Sequence, residues 1–227
     1  MLKRKKQNEE IVDSRFTWRI FRIMSEFVEG FQFLFQFGKS VTVFGSTRTS
    51  PDDIYYQKAE QLSYKLAQSG FAVMTGGGPG IMEAANKGAS RAKGESVGFN
   101  IQLPIEQRVN KFANKGIGFH YFFTRKVILS YSAQAYVYFP GGFGTLDEFF
   151  EIITLIQTHK LEKIPVILFG VEYWQGLYGW LAKTVLKQHE AIDPSDLNLF
   201  CITDDVNQAV RMIKKSKSRK KLFSSYS

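Results

Sequence analysis

The residues best suited to chemistry lie in one run, Tyr136–Glu151, which reads YVYFPGGFGTLDEFFE. A short apolar stretch enters a turn with three glycines in four positions, and a helix that opens with a threonine and acidic residues follows. Glycines let a backbone approach a ligand closely, and the unpaired amides at a helix start attract anions because the positive end of the helix dipole lies behind them. The run therefore predicts a phosphate site, with the Glu148 carboxylate beside it.

Glu148 also has a purely structural interpretation. Thr145 and Glu148 have the spacing of a capping box, in which the threonine caps the helix and the glutamate bonds back to its amide. Asp147, Glu148 and Glu151 carry more negative charge than a cap requires, which favours a role for Glu148 in chemistry. The helix dipole is expected to keep Glu148 ionised, which suits stabilising positive charge better than donating a proton.

Two more glycine- or serine-rich turns, 45–50 and 75–80, directly follow apolar stretches. Because the carboxyl ends of parallel strands meet at one edge of a sheet, these turns are expected to gather beside the 140–145 turn. They add four candidate ligand-binding residues: Gly45, Ser46, Gly77 and Gly78. Arg125 and Lys126, just before the central apolar stretch, supply cations that could meet phosphate or sugar oxygens, or form an ordinary solvated helix turn.

Other chemistries find little support in the sequence. The 76–80 glycines do not complete a dinucleotide fingerprint, since position 81 is isoleucine, so a nicotinamide cofactor is not expected. The three histidines are scattered without metal-ligand spacing, and the chain has a single cysteine, Cys201. We therefore predict neither a metal nor a cofactor, and any hydrolysis must depend on carboxylate and arginine.

The elements that position these residues alternate along the chain. Short, uniformly apolar strands alternate with helices, which predicts a single Rossmann-like α/β domain, a doubly wound parallel sheet with helices on both faces. Strands are predicted at 40–45, 71–74, 96–99, 117–122, 134–139, 165–170 and 201–203. Helices are predicted at 11–37, 52–69, 84–93, 124–131, 145–159, 173–188 and 206–214, with 100–116 as an irregular connection.

Charge divides the chain into a body and two basic tails. The net charge of +9 arises at the ends, because residues 1–6 and 211–221 hold eleven basic groups and no acid. We therefore expect a basic tail and amphipathic helix at 1–39, the nucleotide-binding domain at 40–210, and a basic tail at 211–227. Such tails are usually solvated, and nucleic-acid contact is the alternative. A lone cysteine and the absence of a signal-peptide pattern predict a cytoplasmic protein.

Apolar residues of the N-terminal segment recur at helical spacing: Ile20, Met24, Phe27, Phe31 and Phe35. This spacing favours a helix that lays its aromatic face on the main domain or on a second subunit. A membrane-surface helix is the alternative. A transmembrane helix is not expected, since Glu29, Gln32 and Gln36 interrupt the longest apolar run.

Three of these patterns together resemble a known family. The run Pro140–Glu148, reading PGGFGTLDE, is similar to the PGGxGTxxE signature of the LOG ("Lonely guy") family. Arg125 and Lys126 stand where the family has its Arg-Lys pair, and Gly76–Glu83 resembles its upstream glycine loop. The likeness covers roughly residues 40–205, and the long N-terminal helix is typical of the long bacterial branch.

The resemblance implies a phosphoribohydrolase that cuts the N-glycosidic bond of nucleoside 5′-monophosphates, cytokinin ribotides in plant members and AMP in many others. It implies Glu148 and Arg125 as catalytic residues. It also implies a phosphate- and substrate-binding set: Gly141, Gly142, Phe143, Gly144, Thr145, Lys126, Asp147 and Thr154. The family is typically dimeric, with larger assemblies in some branches. The upstream acidic substrate contact of short members has no counterpart that aligns here.

One alternative to this interpretation remains open. Molybdenum-cofactor carrier proteins resemble the family in fold and glycine loops, so a carrier that binds without hydrolysing is the second hypothesis. Retention of both Arg125 and Glu148 favours the enzyme. Family members have also been labelled lysine decarboxylases, but the sequence shows no strand–lysine context for a pyridoxal phosphate site.

Overall fold

The computed structural model describes residues 2–101 and 110–216, with side chains from residue 16 onward. In these ranges the strands form one sheet in which all pairings are parallel. The strands are β1 Ser40–Phe44, β2 Ala72–Thr75, β3 Ser96–Ile101, β4 Lys115–Phe119, β5 Tyr136–Tyr138, β6 Val166–Phe169 and β7 Cys201–Thr203. Their order across the sheet is β4-β3-β2-β1-β5-β6-β7.

This strand order contains one topological switch point. The chain builds outward from β1 to β4 and then returns to place β5 on the other side of β1, with Thr42 opposite Tyr136 and Phe44 opposite Tyr138. In open parallel sheets the connections after two such strands diverge to opposite faces, which leaves a crevice outside their carboxyl ends. The crevice here lies beyond Phe44 and Tyr138, at the start of the two turns that the sequence singles out.

Helices cover both faces of the sheet. They are α1 Leu2–Leu34, α2 Ile54–Gln68, α3 Ile81–Arg91, α4 Phe122–Ser130, α5 Phe143–Gln157, α6 Val171–Trp180 and α7 Val206–Lys215. A π-helical segment, Leu181–Gln188, continues α6, and a 3₁₀ turn covers Pro194–Asn198. None of the helices in the described ranges is both long and apolar enough to cross a bilayer.

Alternation of side chains along the strands divides the core into two layers. In β5, Tyr136 and Tyr138 pack in one apolar cluster, while Val137 between them packs in the other. Successive strand residues point to opposite faces, so two fully buried faces require strands that are apolar throughout. The doubly wound sheet predicted from the sequence is therefore confirmed.

The element boundaries differ from the prediction mainly at the ends of the chain. α1 spans Leu2–Leu34, so residues 2–6, predicted as tail, are helical, and the helix ends before Phe37. α7 extends to Lys215 and includes the first residues of the predicted C-terminal tail, while 217–227 lie outside the described residues. Within the predicted connection at 100–116, β3 extends to Ile101, β4 begins at Lys115, and 102–109 are outside the described residues.

Candidate active site

A cleft of about 870 Å³ lies at the switch point between β1 and β5. Its walls come from the turns after β1 and β2, the first half of α4 and the start of α5. This volume lies within the range of typical small-molecule sites. Most of the site residues predicted from the sequence line it: Gly45, Ser46, Arg125, Lys126, Gly142, Phe143, Gly144, Thr145, Asp147 and Glu148.

The start of α5 forms the anion-attracting part of the cleft. Gly142 is the N-cap residue, and its carbonyl accepts hydrogen bonds from the amides of Thr145 and Leu146 at 3.0 and 3.1 Å. The amides of Phe143 and Gly144 come before Thr145, in the first turn of the helix. They are therefore among the amide donors that have no acceptor within the helix. Backbone donors and the helix dipole thus converge on the cleft floor.

The predicted capping box is wrong. The helix begins two residues before Thr145, and no side chain caps it. The Thr145 side chain instead packs against Gly141, where an added Cβ would overlap it. Glu148 therefore lies in the second turn of α5, beyond reach of the helix start, and the capping role that offered a structural explanation for it does not apply.

Glu148 is a buried carboxyl with little solvation. Glu148 is buried, with 8% of its surface exposed, and its Oε2 atom has no hydrogen-bond partner among the described residues. Burial raises its pKa, the neighbouring Glu151 raises it further, and Lys126 and Arg125 oppose the change, leaving the pKa at about 8. The expectation that the helix dipole keeps Glu148 ionised is therefore wrong, because burial dominates and the dipole fades beyond the first turn.

Two cations from α4 face this carboxyl. Lys126 Nζ lies 2.5 Å from Asp147 Oδ2 and 3.2 Å from Glu151 Oε2. Burial lowers the pKa of Lys126, but these carboxylates and Glu148 outweigh it, so the net pKa is raised. Burial also lowers the pKa of Arg125, against the opposing effect of Glu148. The site thus holds both α4 cations within the electrostatic reach of one buried acid.

The other four predicted residues lie outside the cleft lining. Gly77 and Gly78 are turned towards Asn110, which donates from its amide to the Gly77 carbonyl at 2.9 Å and from its side chain to the Gly78 carbonyl at 3.1 Å. Gly76 lines the cleft in their place. The Gly141 carbonyl accepts a hydrogen bond from the Tyr173 hydroxyl, and Thr154 bonds to the Phe150 carbonyl on its own helix.

The structure adds cleft residues that the sequence analysis did not select. Thr47 and Arg48 extend the turn after β1, and Phe122 and Phe123 form an aromatic wall at the start of α4. Phe122 is 63% exposed, and the Arg125 guanidinium carbon lies 5.6 Å from its ring centre. In the sequence, Phe122 and Phe123 could have been noticed as an aromatic pair close to Arg125 and Lys126. Such a pair is equally consistent with the start of an ordinary surface helix.

Comparison with known proteins places this arrangement in context. A family model described as "Possible lysine decarboxylase" matches residues 82–213. The chain is 26% identical over 182 residues to a cytokinin riboside 5′-monophosphate phosphoribohydrolase of Rhodococcoides fascians, covering 78% of this chain and 89% of that protein. It is 27% identical over 157 residues to the protein of that name from Mycobacterium tuberculosis, covering 67% and 82%.

Solved structures show the same fold at low sequence identity. A molybdenum cofactor binding protein from Rippkaea orientalis superposes with a TM-score of 0.58 at 22% identity, covering 78% of this chain and 96% of that one. At this identity the likeness concerns the fold alone. The chemistry has to be argued from the cleft.

Proposed function

Because the chain belongs to the LOG family, whose model carries the description "Possible lysine decarboxylase", we propose that it hydrolyses the N-glycosidic bond of nucleoside 5′-monophosphates. The products would be a free base and ribose 5-phosphate. The substrate class would be a cytokinin ribotide, as the names of its relatives suggest, or AMP, as the resemblance to the family implies. The observation that carries this proposal is the meeting of a buried acid, two cations and a helix N-terminus in one cleft.

Each part of a nucleotide would have a matching wall of the cleft. The amides of Phe143 and Gly144 would hold the 5′-phosphate, with Lys126 nearby as a cation. Phe123, which is 45% exposed, would offer its ring to the base, since aromatic faces stack on bases of any sequence. A phosphate held at the α5 start would fix the ribose near Glu148, which lies one turn further along the helix.

A raised pKa gives Glu148 two successive tasks. At neutral pH it holds a proton, which it would donate to a ring nitrogen of the base as the C1′–N bond breaks, with the bonding electrons leaving on the base. The resulting carboxylate would stabilise the positive charge on the ribose ring. Water would then attack C1′ and return its proton to Glu148, which restores the starting state. Arg125 would orient Glu148 or a ribose hydroxyl.

The cleft does not fit a pyridoxal phosphate decarboxylase. Such an enzyme needs a lysine whose amine loses its proton to form a Schiff base. The lysine that lines this cleft, Lys126, is bound to Asp147 and Glu151, and these partners raise its pKa. We therefore propose no decarboxylation.

A carrier that binds a nucleotide without cutting it is the competing function. The buried acid argues against it, because burying the Glu148 carboxyl with Oε2 unpartnered among the described residues costs stability. Catalysis gives that carboxyl a use that a carrier lacks.

The test is incubation of the protein with AMP, CMP, GMP, UMP and isopentenyladenosine monophosphate, followed by chromatography of the released base. We expect release from at least one nucleotide, reduced by two or more orders of magnitude in Glu148→Gln, while that variant still binds the nucleotide. Tight binding with no release from any of the five would instead support the carrier.

A further inference from the structure

The outer face of α1 is an apolar surface that the other described residues leave exposed. Between residues 16 and 28, six large apolar side chains are 43–74% exposed: Phe16, Trp18, Ile20, Phe21, Met24 and Val28. A helix normally packs an apolar stripe of this width against another element. Since an aromatic side chain can bury about 150–250 Å², Phe16, Trp18 and Phe21 could supply a large part of the roughly 800 Å² per partner of a standard interface.

The spacing of these residues identifies the kind of partner. Phe21, Met24 and Val28 are separated by three and four residues, which is the seam pattern of paired helices. Arg22 and Glu29 are exposed beside this seam, while Glu26 lies on the inner side of α1 against α4. The exposed charged positions beside the seam thus carry both signs, whereas a membrane-surface helix carries mainly Lys and Arg on its polar side.

We propose that this seam binds the α1 helix of a second copy of the chain. The test is sedimentation of the full chain at several concentrations. Met24→Lys places a charge in the seam without removing a buried residue, and Glu29→Lys is the matched control at an exposed position outside the seam. We expect a wild-type mass of two or more copies, a smaller mass for Met24→Lys, and the wild-type mass for Glu29→Lys.

Three results would overturn the α1 pairing. The first is that the wild type sediments as a monomer at tens of micromolar. The second is that Met24→Lys keeps the wild-type mass. The third is that the wild type is a monomer that binds anionic phospholipid vesicles through this face. The last result would assign the seam to a membrane surface.

The inner side of α1 carries a second, independent feature. Glu26 accepts hydrogen bonds from the amides of His120 and Tyr121, at 2.7 and 3.3 Å, and from the Thr124 hydroxyl at 2.5 Å. Tyr121 is the N-cap position of α4, and its own side chain makes no capping bond. A carboxylate from a residue almost a hundred positions earlier therefore caps the helix that carries Arg125.

The geometry points to Glu26 as a positioning residue for Arg125, an inference that rests on the proposed function. Arg125 lies in the first turn of α4, only four residues after the capped Tyr121. Loss of the cap would leave amides unpaired and loosen this turn, which would displace the guanidinium from its place beside Glu148. Misplacement of about 1 Å can cost as much as a hundredfold in rate.

The test compares Glu26→Ala with Glu29→Ala. Among the described residues, the Glu29 carboxylate accepts a local hydrogen bond from the Ser25 hydroxyl, at 2.8 Å. We expect kcat for AMP to fall at least tenfold in Glu26→Ala and to stay near wild type in Glu29→Ala. Glu26→Gln keeps oxygen and shape and should recover part of the loss. Thermal unfolding curves of the two alanine variants show whether the fold survives in both.

A second measurement separates this inference from the proposed function. Hydrogen exchange at residues 120–125 should be faster in Glu26→Ala than in Glu29→Ala, whether or not the protein hydrolyses AMP. Equal exchange in the two variants would overturn the positioning role. Absence of base release from the wild type, together with faster exchange, would refute the hydrolase alone.

Discussion

Replacement of Glu148 by glutamine should stabilise the fold, and the gain should grow with pH. The folded carboxyl has a pKa of about 8, against the ordinary value of 4.5. Between these values the unfolded chain releases the proton while the folded chain keeps it, so rising pH favours unfolding of the wild type. Glutamine has no proton to release and avoids this cost.

The size of the gain follows from the pKa difference. At about 1.36 kcal/mol per pKa unit, Glu148→Gln should be more stable than wild type by roughly 3 kcal/mol at pH 7 and by nearly 5 kcal/mol above pH 8. The difference should shrink towards zero near pH 4.5, where both chains are neutral at this position. A gain at the expense of activity is the usual mark of a residue kept for function.

Urea unfolding at pH 5, 7 and 9 measures this difference at fixed protein concentration. Glu162→Gln, at an exposed position, is the matched control, and its free energy of unfolding should follow that of the wild type at all three pH values. A Glu148→Gln gain that stays constant from pH 5 to pH 9 would refute the raised pKa. A loss of stability at pH 9 would show that the ionised carboxylate is favourably paired in the folded protein.

Three further predictions concern the cleft. The kcat/KM for AMP should fall with rising pH above about 8, since Glu148 must be protonated to act as an acid; a rise there would contradict the assignment. Gly141→Ala should weaken ribose 5-phosphate binding at least tenfold in calorimetry, because the new Cβ would overlap the Thr145 side chain. Gly142→Ala is the control: its Cβ would meet no atom within 4 Å, so this variant should remain as stable as wild type. Lys126→Met should move the pH limit of kcat/KM upward, since its charge lowers the pKa of Glu148; an unmoved limit would contradict that coupling.

The sequence was sufficient for the fold and for most of the residues that meet in the cleft. Apolar strands such as Val166–Phe169 and the alternating helices indicate a parallel sheet, because only strands buried on both faces lack polar alternation. The turns at 45–50 and 140–145 meet as expected, since both follow neighbouring strands at the switch point. Arg125 and Lys126 reach the same cleft from α4.

What the sequence could not supply depends on three-dimensional surroundings. The pKa of Glu148 is set by burial and by Glu151, and neither effect can be read from local spacing. The helix starts at Phe143 and the Thr145 side chain packs against Gly141, so the Thr145–Glu148 spacing suggested a cap that does not form. Glu26 caps α4 from a distant part of the chain, and no local pattern marks such a contact.

The bond from Tyr173 to the glycine loop determines the polarity of that loop. The Tyr173 hydroxyl lies 2.5 Å from the Gly141 carbonyl oxygen and holds it towards α6. In a trans peptide the carbonyl and the next amide point in opposite directions, so the Gly142 amide is turned away from Tyr173. A rotation of this peptide by half a turn would exchange the Gly141 carbonyl and the Gly142 amide. The partially negative carbonyl oxygen would then point where the partially positive amide hydrogen now points. Tyr173 thus selects one of two orientations of a glycine peptide that has little steric preference of its own.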